Sequence, residues 1–134
     1  RRGNPPGPRA PRGRRAGTPA AAHHATAAQF DVSKTVTIKG MVTRINWANP
    51  HLHIDVYVEE KQDVTGHWDV ELGSPGAVIV SGLSREAIQP GTVLSITGYP
   101  GKTTPEESPS TPHSVCAKKL TLSDGTIATF VVGI

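Results

Sequence analysis

The stretch Val36-Thr37-Ile38-Lys39-Gly40-Met41-Val42-Thr43-Arg44-Ile45-Asn46-Trp47-Ala48-Asn49-Pro50-His51-Leu52-His53-Ile54-Asp55-Val56-Tyr57-Val58-Glu59 decides the fold. Apolar and polar residues alternate along it, which is the pattern of strands with one buried face. From Val36 to Val42 the apolar set falls on even positions, and Ile45 and Trp47 then carry it on odd ones. A parity switch inside one long strand predicts a bulge, which bends the strand. Gly40 is the expected hinge. Asn49-Pro50 marks a turn. A second strand follows over His51 to Glu59. Leu52, Ile54, Val56 and Val58 are expected inside, and His51, His53, Asp55, Tyr57 and Glu59 outside.

Further along, a loop holds Asp63 and Gly66, and a third strand runs from His67 to Leu72. Trp68, Val70 and Leu72 face in; His67, Asp69 and Glu71 face out. Ser74-Pro75 pairs an N-cap residue with a first-turn proline, predicting a short helix over Gly76–Val80 that ends near Gly82. Ser84 to Ile88 can form one more turn, and Pro90-Gly91 is a turn. Val93, Leu94, Ile96 and Tyr99 belong to a fourth strand. Thr103–His113 holds three prolines and no large apolar residue, so it reads as a loop. Val115–Leu122, a Ser123-Asp124-Gly125 turn and Ile127–Val132 give two more strands. Three strands, a short helix and further strands, with a long bent first strand, predict an all-β fold: a small OB-like barrel of five to six strands. A β-sandwich is the alternative.

The chain has 134 residues, 36% hydrophobic and 4% aromatic, enough for one modest core. It begins with Arg, as expected of a fragment or a processed product. A single cysteine excludes an internal disulfide framework and any multi-cysteine zinc site. No apolar run is long enough to span a membrane as a helix. The formal charge of +3 is unevenly spread. Residues 1–22 hold six of the 14 basic residues and no acid, leaving eight against 11 acidic ones, a net of −3 for the body. An acidic body argues against nucleic-acid binding by the barrel.

Residues 1–22, with five prolines, four glycines and six arginines, read as a disordered leader. It is either a basic arm able to contact nucleic acid or an unselected segment. Residues 23–34 form an N-terminal arm, and 35–134 the barrel domain. Thr18-Pro19-Ala20-Ala21-Ala22 before His23-His24 has the small-residue character of a signal-peptide end, without the apolar stretch that should precede it.

The six histidines supply the sharpest chemistry. His51 and His53 are two apart on one strand and face the same way. At roughly 6.5–7 Å spacing their rings can converge on one metal. A freed His23 amine and ring, with His24, would complete a tetragonal nitrogen set suited to Cu(II). With strands two and three paired so that Glu59 meets His67, Asp55 lies beside Glu71, and these two carboxylates are the expected steering groups for the histidines. Two facing carboxylates also repel, which favours a cation nearby. The same register puts His67 roughly 20 Å from His53, outside the site. The plainer alternative is an exposed strand face with incidental histidines. Trp68 is expected in the core. Cys116 reads as a small buried residue. The Glu106-Glu107 pair sits in a proline-rich loop, unsuited to acid–base work. No nucleophile elbow, phosphate loop or dinucleotide fingerprint is present, so no catalytic residue is assigned and the chain reads as a non-enzyme.

His23-His24, Phe30-Asp31, Gly40-Met41-Val42, Trp47-Ala48-Asn49-Pro50-His51, Trp68 through Pro75, Pro90-Gly91-Thr92-Val93 and Gly98-Tyr99 form a series. Together they resemble the domain of unknown function 6152 family of small exported bacterial proteins, over roughly residues 22–134. The resemblance implies export to the periplasm or cell exterior and an OB-like barrel, and carries no activity. The expected function is a non-enzymatic exported binding protein. Its sharpest form captures copper through His23, His24, His51 and His53, with Asp55 and Glu71 behind them. The alternatives are a module that docks a protein partner through a sheet edge, or nucleic-acid contact through the basic arm.

Overall fold

The computed structural model describes Gly3 and residues 26–59 and 65–130. The remainder of the expected leader, His23-His24 and the end of the last expected strand lie outside the described residues. Six strands form: β1 (Val36–Asn46), β2 (His53–Val58), β3 (Gly66–Glu71), β4 (Val93–Pro100), β5 (His113–Leu122) and β6 (Ile127–Thr129). The sheet order is β3-β2-β1-β4-β5-β6, and β3 also pairs in parallel with β5. That last pairing closes β1 to β5 into a ring, with β6 as an added strand on β5. The closed ring with a helix between β3 and β4 is the OB arrangement. Closure rules out the β-sandwich, whose two sheets stay open at their edges.

The bulge lies in β1, but past Gly40. Val42 pairs with Val56 and Arg44 with Asp55, leaving Thr43 as the extra residue. Val42 and Ile45 therefore both turn toward the core across an odd interval. Gly40 serves close approach instead. A Cβ there would lie 2.5 Å from the Tyr57 carbonyl oxygen.

The core fills the ring. Ile38, Val42, Ile54, Val56, Val58, Trp68, Val70, Leu94, Ile96, Val115, Ala117 and Leu120 are buried, as the alternation expects for β1 to β3. The helix Pro75–Val80 plugs one end with Val78, helped by Leu52, Leu72, Leu83 and Ile88. Ser74 caps it: its hydroxyl accepts from the Ala77 N–H at 3.2 Å. Gly82, at φ +102, lets the chain leave. The N-terminal arm is docked on the barrel. Phe30 is buried and bridges to Gly101, Asp31 N–H donates to the Pro100 carbonyl, and Lys102 N–H to that of Gln29.

Cys116 corrects the expectation of a core cysteine. A second irregularity, between Thr97 and Gly98 on β4, leaves Lys118 as the extra residue on β5. Leu120 and Ala117 face in, while Cys116 turns outward beside Glu71, half-buried. Burial first, then the Glu71 carboxylate, push its thiol up to about 11.

Candidate functional site

The outward side chains of β2 and β3 collect histidines and carboxylates because both strands bury their alternate residues. The register decides which of them meet. His53 stands opposite Glu71, Asp55 opposite Asp69 and Tyr57 opposite His67. This is two residues away from the expected pairing of Asp55 with Glu71. A shift of two keeps every side chain on its face, so the hydrophobic pattern cannot distinguish the two registers. His67 stays outside the histidine pair, packing edge-on against Tyr57 with ring centroids 5.2 Å apart. Four residues separate Tyr57 from His53, about 13 Å along the strand rather than the expected 20 Å.

The expected metal residues His51 and His53 do share one place, each held by a carboxylate. His51 Nδ1 lies 2.7 Å from Glu71 Oε1, and His53 Nδ1 lies 2.9 Å from Asp69 Oδ1. An ionised carboxylate only accepts, so Nδ1 carries the proton in both rings. In the neutral ring Nε2 is then the free lone-pair nitrogen. His53 Nε2 is 3.8 Å from Glu71 Oε1, beyond hydrogen-bonding distance. Glu71 is the better-buried partner, its side chain 14% exposed against 50% for His51.

Glu71 thus contacts His51, and Asp69 rather than Asp55 contacts His53. Asp55 instead lies between Asp69 and Arg44 in the sheet register, so a cation of the chain itself already flanks the facing acids. Asp69 was legible as an outward residue of β3; only its partner was not. His113 stands apart from the pair. It stacks on Trp68 at 4.8 Å and faces Glu106 at 3.8 Å. Among the described residues, no group of three or more His, Cys, Asp or Glu is arranged to hold a metal ion.

Two shallow clefts flank the histidine pair and share His53, Asp69 and Pro112. The larger, about 350 Å³, runs between Glu71, the helical turn at residues 26–29 and the β4–β5 loop, with Ala28, Gln29 and Thr111 on its walls. Both clefts open on the outer face of β2 and β3, against the β4–β5 loop. The Asn49-Pro50 peptide that leads into His51 is cis. The β4–β5 loop, marked as one by its prolines, and the helical turn carry nothing in their sequence that points to the histidines. They reach the cleft through the pairing of residues 29–31 with 100–102. No described helix is long and apolar enough to cross a membrane.

The family of unknown function DUF6152 matches residues 14–108. Among solved structures, the mitochondrial single-stranded DNA binding protein Rim1 of S. cerevisiae is similar at 11% identity and TM-score 0.47. The match covers 67% of this chain and 93% of that one. An aspartyl tRNA synthetase from Entamoeba histolytica is similar at 13% identity and TM-score 0.40, over 82% of this chain and 22% of that one. No curated protein matches.

Proposed function

We propose that this chain, which belongs to the family of unknown function DUF6152, is a non-enzymatic exported binding protein that captures a transition metal ion, copper first. The observation that carries this reading is the pair of His–carboxylate contacts. Metal-ligating histidines characteristically donate their second N–H to a carboxylate, which fixes the tautomer and raises the basicity of the ligating nitrogen. His51 with Glu71 and His53 with Asp69 both have that form.

Two imidazoles make an incomplete site. His23 and His24, outside the described residues, are the proposed completion. The turn at 26–29 lines the same cleft as His53. From Thr26 back to His24 the chain can extend at most about 7 Å. Imidazole and amine nitrogens in a tetragonal set suit Cu(II). Capture should weaken on acidification, because imidazole binds metal only when neutral. Nucleic acid fits the face poorly: Asp55, Asp69 and Glu71 would repel phosphate.

The test is calorimetric titration with Cu(II) and Zn(II) of the full chain and of a chain beginning at His23. Tight one-to-one copper binding that is lost in His51→Ala and His53→Ala supports the reading. Binding only by the shorter chain makes the freed amine a ligand and supports export and processing. No binding by either chain refutes metal capture and leaves a partner-docking module.

A further inference from the structure

We propose that the outer face of β4, β1, β2 and β3 is a docking surface for an extended peptide whose residues alternate basic and apolar. The register builds two adjacent rows across these strands. Val93 pairs with Met41, Met41 with Tyr57, and Tyr57 with His67. Their exposures are 38% for Val93, 45% for Met41 and 37% for Tyr57, and His67 is exposed as well. These are three of the larger exposed apolar side chains of the described residues, and the register sets them in one line. Methionine and aromatic side chains of this kind are enriched where proteins meet. One step along the strands lies the second row, Arg44 with Asp55 and Asp55 with Asp69. Glu71 adds a third carboxylate beyond it.

The two rows lie about 7 Å apart, and the four strands span about 14 Å. An extended segment of about five residues crosses that width. Its side chains point alternately to the two sides of its backbone. With the backbone between the rows, one set meets Val93, Met41 and Tyr57, and the other meets Asp55 and Asp69. Asp55 and Asp69, with Glu71 beyond, outnumber the single Arg44 at the end of that row, and this charge balance favours Lys or Arg in the second set. The body's net charge of −3 outside residues 1–22 favours the encounter. Asp69 and Glu71 also contact the histidines of the proposed metal site, but Met41, Tyr57 and Val93 do not, so Met41→Lys and Val93→Lys test this surface apart from that reading.

The probe is a fluorescein-labelled octapeptide of four Lys-Val repeats, read by anisotropy against the full chain. Its isomer with four lysines followed by four valines has the same charge and composition. The alternating peptide should bind at least about tenfold more tightly than the isomer, and Met41→Lys or Val93→Lys should each weaken it about tenfold. Both sites are exposed, and thermal unfolding verifies that each variant folds. Asp55→Asn, which touches neither histidine contact, should weaken binding too. Equal binding of the two isomers, indifference to both lysine variants, or no binding overturns the proposal. Sedimentation showing self-association that Met41→Lys abolishes would assign the face to a second copy and overturn it as well.

Discussion

Replacing Gly98 by Ala tests the closest backbone contact in the barrel. Gly98 sits at the β4 irregularity opposite Ala117. A Cβ there would lie 2.8 Å from the Cys116 carbonyl carbon, 3.0 Å from Ala117 Cα, and closer still to the Cys116 oxygen. All three atoms are backbone, so no rotamer change relieves the overlap; β4 and β5 must separate. Overpacking of this kind costs about 1–3 kcal/mol, and a backbone obstacle puts Gly98→Ala at the upper end. The stiffer unfolded chain offsets about 0.4–1 kcal/mol only where the new residue fits, which it does not here. For a domain of roughly 100 residues each kcal/mol moves Tm by about 4–8 °C, so the expected fall is about 10–20 °C. Thermal unfolding followed by circular dichroism measures it. Gly76→Ala is the control: it lies in the helix with nothing within 4 Å of its Cβ. That change should hold or raise stability, by up to about 1 kcal/mol. A Gly98→Ala protein melting within about 2 °C of the parent would refute the close-approach reasoning.

Deleting Thr43, the extra residue, leaves Arg44 opposite Asp55 and Ile45 opposite Ile54 with plain alternation, so cooperative unfolding by denaturant titration should persist, whereas an alanine inserted after Arg44 should slip Ile45 outward and abolish it. The Cys116 thiol, pushed up to about 11, should alkylate about a hundredfold more slowly at pH 8 in the native chain than in urea. Because its folded pKa is raised, its contribution is fully present below the unfolded thiol's pKa near 9 and is lost as pH rises toward 11; Cys116→Ala should flatten that alkaline decline in a pH series of melts. Hydrogen bonds from Thr126 hold the Asp124 carboxyl below its ordinary range, so its contribution is present at neutral pH and lost on acidification. Asp124→Ala should therefore lower Tm at pH 7 and leave it unchanged near pH 2.

The strand faces of β2 and β3, the Ser74 cap and the Gly125 turn follow from local rules, because burial on one face and unpaired helix N–H groups constrain single residues or near neighbours. The family series likewise sits in short motifs. Two expectations failed where the cause was a partner strand. The bulge was placed at Gly40 because glycine is the usual sign of one, whereas Thr43 became the extra residue through the pairing of Val42 with Val56 and Arg44 with Asp55. Cys116 was read inward because the parity change at Lys118 shows only against β4.

For the candidate site, the sequence determined that His53, Asp55, Asp69 and Glu71 share the outer face of β2 and β3, since alternation alone fixes a face, with His51 two residues ahead of β2. Tertiary structure decided which of them touch. Face is a property of one strand at period two, but register is a property of two strands, and slipping by two leaves every buried contact type in place. Only the closed barrel, with Gly66 set opposite Val58, brings Asp69 rather than Asp55 to His53, and Glu71 to His51. Closure also carries the β4–β5 loop and the turn at 26–29 over that pair, contacts between residues far apart in the chain that no local pattern encodes.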